Sequence, residues 1–206
     1  MTARPLAGRR THTIIDSPVG PITLLGLDGV LAGLYLEEKR HPPPPELYGE
    51  PHPEPFGAAV SQLARYFDGT LTRFDLPLAL AGTPFQQRVW AALQAVPYGT
   101  TMSYGQLADR LGQPAAARAV GLANGRNPVS IIVPCHRLIG SDGSLTGYGG
   151  GLPGKRYLLD LERQVTTGSP DARPGPGPGP PLRSGDPGGD YRVGPGGGRL
   201  GARRGS

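Results

Sequence analysis

The sequence predicts an α+β protein: a small N-terminal antiparallel sheet with a helix, then a mostly helical C-terminal domain with a helix-turn-helix, then a disordered tail. Three observations predict it. "PITLLGL" and "VLAGLYL" are joined by Asp28-Gly29, and a D-G pair between apolar runs marks a hairpin because its tight turn needs positive φ at both positions. From Thr83 the spacing of apolar residues becomes helical, with two capping-box signals. The last 39 residues hold 13 Gly and 8 Pro, with almost nothing to bury that would offset their ordering entropy.

Within the first part, "THTIID" and "PITLLGL" flank a turn at "SPVG". "HPPPPELYGEPHPEPFG" (41–57) is a proline-rich loop. "AAVSQLARYFDG" sets Val60, Leu63, Ala64 and Phe67 at helical spacing, with Gly69 as its stop. "LTRFDLPLAL" reads as an edge strand, because Pro77 has no N–H for a central ladder. Together these make a sheet domain over residues 10–80, in which no motif announces chemistry.

A second domain spans 81–165. "TPFQ" supplies a Thr cap, Pro at the first helical position and Gln three residues after the cap. Phe85, Val89, Trp90, Leu93 and Val96 then form an apolar face. "SYGQ" repeats the box at Ser103 and Gln106, and that short helix ends at Gly112. "PAAARAVGLANG" is a third helix, so the pair reads as a helix-turn-helix. Ala116, Ala117 and Gly121 leave its surface without bulk, and Arg118 is its long cation. Such a helix either packs closely on a neighbour or brings its backbone to a nucleic-acid groove.

Composition narrows the classes. The chain of 206 residues has one cysteine, which excludes an internal disulfide and a multi-cysteine zinc site, so no metal and no cofactor are expected. "MTARPLAGRR" is basic but no long apolar stretch follows it, which points to a cytoplasmic protein with no membrane segment. The net charge is +5, yet the residues 168–206 carry six Arg against three Asp, so most of the excess lies in the tail (166–206 as a segment) and bulk charge says little about partners.

The single cysteine lies in "IIVPCHRLIG". A free cysteine is more often an inert small hydrophobe than a nucleophile. Here "VSIIVP" reads as a buried strand ended by Pro134, leaving Cys135 where the strand opens into a loop. His136 and Arg137 bring positive charge that favours thiolate, and the following loop, "GSDGSLTGYGGGLPG", is crowded with glycine. Adjacent residues on an extended strand face opposite ways, so His136 assists Cys135 only if the chain turns or a water relays the proton. A histidine in that role needs an acid to fix its tautomer, and none is local.

"VPCHRLIG", with "RAVGLANGRNPVSII" before it and "GYGGGLPGKRYLLDLE" after it, resembles the active-site region of the O6-alkylguanine-DNA alkyltransferases, over about Thr83 to Glu162. The resemblance implies a ribonuclease-H-like N-terminal sheet domain and a suicide DNA-repair reaction. A guanine alkylated at O6 (or a thymine at O4) in double-stranded DNA is flipped out from the minor groove, and its alkyl group passes irreversibly to the protein, a monomer. By that resemblance Cys135 is the acceptor, His136 the water-mediated base, Glu162 the acid that orients it, and Asn127 the brace before the strand. Tyr104 bonds the guanine, the carbonyls of Cys135 and Leu138 accept from its amine, and Tyr148, Gly149 and Gly150 line an open alkyl pocket. Arg118 takes the place of the extruded base, with Ala116 and Ala117 against DNA. Two rivals remain at this point: a non-catalytic helix-turn-helix DNA binder with a structural cysteine, and a Cys-His hydrolase, although adjacent nucleophile and base suit the latter poorly.

Overall fold

A computed structural model describes residues 8–37 and 43–168, so the reading of 169–206 as a disordered tail lies outside the described residues. Three strands open the chain: β1 (Arg10–Ile15), β2 (Ile22–Leu27) and β3 (Val30–Leu36). Asp28 and Gly29 have φ of 50° and 79°, the left-handed pair that the D-G signal requires. β1 runs antiparallel to β2 from Arg10↔Leu27 to Ile15↔Ile22, and β2 runs antiparallel to β3 with an irregularity at Leu25/Gly26. A two-residue β4 (Glu50–Pro51) adds to β1 in parallel, giving the order β3-β2-β1-β4.

Two readings of this half are corrected. The stretch 41–57 is not loop throughout, since it contains β4 and two 3₁₀ turns, Pro45–Leu47 and Glu54–Phe56. Prolines suit each place, because a 3₁₀ start and an edge strand both leave the missing N–H unneeded. "LTRFDLPLAL" is not a strand: only Leu78 bridges Leu31, with Ala79 N–H donating to the Leu31 carbonyl at 2.8 Å. Pro77 stops the ladder from extending.

Helix α1 (Gly57–Phe67) buries Ala59, Leu63 and Tyr66. α2 (Pro84–Gln94) and α3 (Tyr104–Arg110) both form complete capping boxes, at Thr83/Gln86 and Ser103/Gln106. The third helix begins as a 3₁₀ turn at Pro114–Ala116 and becomes α-helical only over α4 (Ala117–Gly125). Trp90, 1% exposed, donates its indole N–H to the Ala123 carbonyl at 2.9 Å and so fixes α4 on α2. β5 (Met102–Ser103) pairs in parallel with β6 (Leu138–Ile139). A last helix, α5 (Gly151–Thr167), runs into the segment expected to be tail. One apolar cluster joins the strands, α1, α2, α4 and α5. Among the described residues no helix is long and apolar enough to cross a membrane.

The "VSIIVP" run is buried but is not a strand. Leu34 donates to the Pro128 carbonyl at 2.8 Å and accepts from Ser130 at 3.2 Å, after which the chain folds on itself: Ile132 N–H bonds Ser130 at 2.8 Å and Val133 N–H bonds Val129 at 3.0 Å. Ile131 has φ of 69°, an outlier for a β-branched residue that costs on the order of 1–3 kcal/mol and persists only where surroundings over-determine it. β-branched residues suit a strand locally, but the sheet contact at Leu34 is used by a turn here.

Trp90→Phe is expected to lower stability by about 1–3 kcal/mol, since it removes buried ring volume and the indole hydrogen bond to the Ala123 carbonyl. Urea unfolding of wild type and variant measures it.

Candidate active site

Asn127 builds the turn that presents Cys135. Its Oδ1 accepts from Val129 N–H at 3.0 Å and its Nδ2 donates to the Val133 carbonyl at 2.8 Å, clamping both ends of the segment that contains Ile131. Cys135 N–H then bonds the Val133 carbonyl at 2.8 Å, and residues Cys135–Arg137 form a 3₁₀ turn. The chain therefore turns at the cysteine, and the extended geometry that separates neighbouring side chains does not apply. Cys135 is 3% exposed.

His136 and Glu162 are fully buried. His136 Nε2 lies 2.7 Å from Glu162 Oε1. A carboxylate only accepts, so Nε2 carries the proton and the Nδ1 lone pair is left open. Burial lowers the His136 pKa, against the pull of Glu162, which favours the neutral imidazole that such a tautomer needs. Burial alone would raise the Glu162 carboxyl, but hydrogen bonds and charge from His136 and Arg137 outweigh it and hold the pKa at about 2. Arg137 donates through Nε to Oε2 and through Nη2 to Oε1, each at 2.9 Å, and its Nη1 reaches the Val96 carbonyl at 2.6 Å.

The loop after the cysteine is tied down by a residue that sequence reasoning missed. Lys155, buried on α5, donates Nζ to the carbonyls of Leu138 and Thr146. Burial pushes its pKa down to about 8, while the charge of a Cys135 thiolate pulls it up. The same Thr146 carbonyl accepts from the Tyr104 hydroxyl at 2.9 Å. Gly147, at φ 65°, lets the backbone pass there, since a Cβ would fall 2.7 Å from the Tyr104 hydroxyl. A signal for Lys155 existed: it stands with Leu158, Leu161 and Glu162 on the buried stripe of α5, and charged residues on such a stripe need partners.

Four buried polar atoms in this region have no protein partner among the described residues: His136 Nδ1, Asn124 Oδ1 and the hydroxyls of Tyr98 and Tyr148. Asn124, on α4, donates Nδ2 to the Cys135 carbonyl at 3.3 Å, and the His136 and Tyr148 rings meet edge-on at 6.5 Å. Buried polar groups are normally paired, and these atoms keep hydrogen-bonding capacity that the described residues do not fill.

Of the residues expected at the site, Cys135, His136, Glu162, Asn127, Leu138, Tyr148 and Tyr104 come together. Arg118 stands apart, exposed on α4, while Ala116 and Ala117 are half-buried at the helix start. Gly149 is half-buried in the turn before α5. The expected open wall at Gly150 is corrected: a Cβ there would fall 2.9 Å from the Tyr148 ring and 3.0 Å from Leu36 Cδ1. Gly150 is glycine to let Tyr148 and Leu36 close over it, and any side chain would act by displacing the tyrosine.

Both halves of the chain match known proteins. Residues 84–164 match the family described as 6-O-methylguanine DNA methyltransferase, DNA binding domain, and residues 11–80 match its ribonuclease-like domain. The chain is 58% identical over 152 residues to a methylated-DNA–protein-cysteine methyltransferase of Mycobacterium tuberculosis, covering 74% of this chain and 92% of that one. It is 49% identical over 152 residues to the protein of that name from Methanosarcina acetivorans, covering 73% and 97%. A crystal structure of Mycobacterium tuberculosis OGT in complex with DNA superposes with a TM-score of 0.73 at 55% identity, covering 75% of this chain and 94% of that one.

The Glu162 pKa is depressed from 4.5 to about 2, so its contribution to stability is present above pH 4.5 and is lost as pH falls toward 2. That contribution is roughly 3 kcal/mol. Urea unfolding between pH 5 and pH 2.5 is expected to show this loss in wild type and a flatter profile in Glu162→Gln, which is already less stable at neutral pH.

Proposed function

The chain belongs to the 6-O-methylguanine DNA methyltransferase family, and from that premise we propose that Cys135 accepts the alkyl group of O6-alkylguanine, and of O4-alkylthymine, in a single turnover. Its activity is that of a methylated-DNA–protein-cysteine methyltransferase of DNA repair, and DNA is its partner. Residues 10–80 and 81–165 serve as its two domains. The observation that carries the site reading is the buried His136–Glu162 pair beside the only cysteine, with Nδ1 of the imidazole left open.

The thiol proton passes through a water to His136 Nδ1, and Glu162 stabilises the imidazolium that forms. The thiolate attacks the alkyl carbon: the Sγ–C bond forms as the C–O6 bond breaks, and the electron pair stays on the base, which takes up a proton at N1 to become guanine. Lys155 favours the thiolate by its charge. A thioether has no leaving group for return, so each protein acts once. The Cys135 and Leu138 carbonyls receive the guanine amine, Asn127 keeps the turn, and Tyr148 with Gly149 encloses the alkyl group.

O6 lies inside the base stack, so the nucleotide must be extruded. The bare start of α4 at Ala116 and Ala117 supports approach to the minor groove, Arg118 fills the vacated stack, and Tyr104 crowds the neighbouring phosphate as it meets the base.

Intact-mass measurement after incubation with a duplex carrying O6-methylguanine is expected to show one added methyl on Cys135 and no further turnover. Cys135→Ser should gain no mass yet still bind DNA. A methyl on that variant, or none on wild type, would sink the reading. Arg118→Ala is expected to slow duplex repair about tenfold or more, the work of holding an unstacked base, while reaction with free O6-benzylguanine stays close to wild type. Equal loss in both would make Arg118 a folding residue.

A further inference from the structure

The proposed relay has a member outside the C-terminal half. Tyr66, fully buried on α1, donates its hydroxyl to Glu162 Oε1 at 2.8 Å. That oxygen also receives His136 Nε2 at 2.7 Å and Arg137 Nη2 at 2.9 Å, while Oε2 receives Arg137 Nε at 2.9 Å and Gly99 N–H at 3.0 Å. A carboxylate offers about four lone-pair sites, fewer than these donors demand. The donors on Oε1 therefore compete, and each weakens the others' share.

We propose that Tyr66 is a positioning residue for alkyl transfer, its hydroxyl setting how strongly Glu162 pulls on His136, so that the N-terminal sheet half takes part in thiol activation. This rests on the Cys135–His136–Glu162 reading above. The ring is held independently of the hydroxyl, against Phe74 at 5.3 Å, Phe67 at 5.5 Å and Tyr98 at 6.0 Å between centroids. Tyr66→Phe thus removes the donor and keeps the packing. With Tyr66 gone, His136 takes a larger share of Oε1, its imidazolium is favoured, and it stays protonated to higher pH, where it cannot act as the base. The other groups facing His136 and Glu162 are Arg137 and Cys135 on the 3₁₀ turn, Tyr148 in the loop, Lys155 on α5 and Tyr98. Tyr66→Phe changes none of them.

The experiment is the pH profile of the rate with free O6-benzylguanine, for wild type, Tyr66→Phe, Glu162→Gln and the double variant, with melting temperatures for each. Tyr66→Phe is expected to move the acid limb up by about half a pH unit or more, and to have no further effect once Glu162→Gln is present. An unmoved limb, or the same change in both backgrounds, overturns the proposal. If Tyr66→Phe does not fold, 3-fluorotyrosine at 66, a stronger donor, must move the limb down, and no movement overturns it. A wild-type profile for Glu162→Gln would instead overturn the relay reading itself, so the two failures are distinguishable.

Discussion

One buried negative charge organises this molecule. Glu162 is fully excluded from solvent, and an unpaired carboxylate there would cost several kcal/mol. It is tolerated because donors converge on it from three segments: Tyr66 of α1, Gly99 before β5, and His136 and Arg137 of the 3₁₀ turn that holds the cysteine, with α5 supplying the carboxylate itself. Arg137 in turn lies 5.5 Å over the Tyr98 ring and bonds the Val96 carbonyl. Tyr66, His136 and Arg137 are buried too, so removing the carboxylate would strand all three. The network joins the two halves of the chain at the place where the imidazole must be held.

A second constraint shapes the cysteine's approach. The turn from Asn127 to Val133 is strained at Ile131 and held by the Asn127 amide at both ends. It is also hydrogen-bonded to β3 through Leu34. The sheet therefore supports the site twice, once through Tyr66 and once through this backbone contact. Such strain persists only because the surroundings hold the turn from both ends.

The proposed binding face contrasts with this interior. α4 is anchored by Trp90 and by the Asn124 amide on the Cys135 carbonyl, yet it shows Arg118 and a 74% exposed Leu122 to solvent. One helix thus touches both the surface and the carbonyl of Cys135, the proposed acceptor, through one hydrogen bond. Lys155 of α5 holds Leu138 and Thr146 together, closing the loop that carries Tyr148.

The sequence by itself determined the local events. Asp28-Gly29 specified its turn through allowed φ, Thr83-Pro84 and Ser103 specified helix starts through their caps, and the residues about Cys135 pointed to the family through an uncommon motif. These features depend on neighbours a few residues apart. The tertiary structure decided whether "VSIIVP" became a strand or a turn, because its β-branched residues suit either until β3 claims Leu34's partners. It also decided that Gly150 faces Tyr148 and Leu36, and that Tyr66, 96 residues from Glu162, shares its oxygen. Hydrogen bonds and burial between distant segments leave no periodicity in a chain. Only packing brings the donors to one carboxylate.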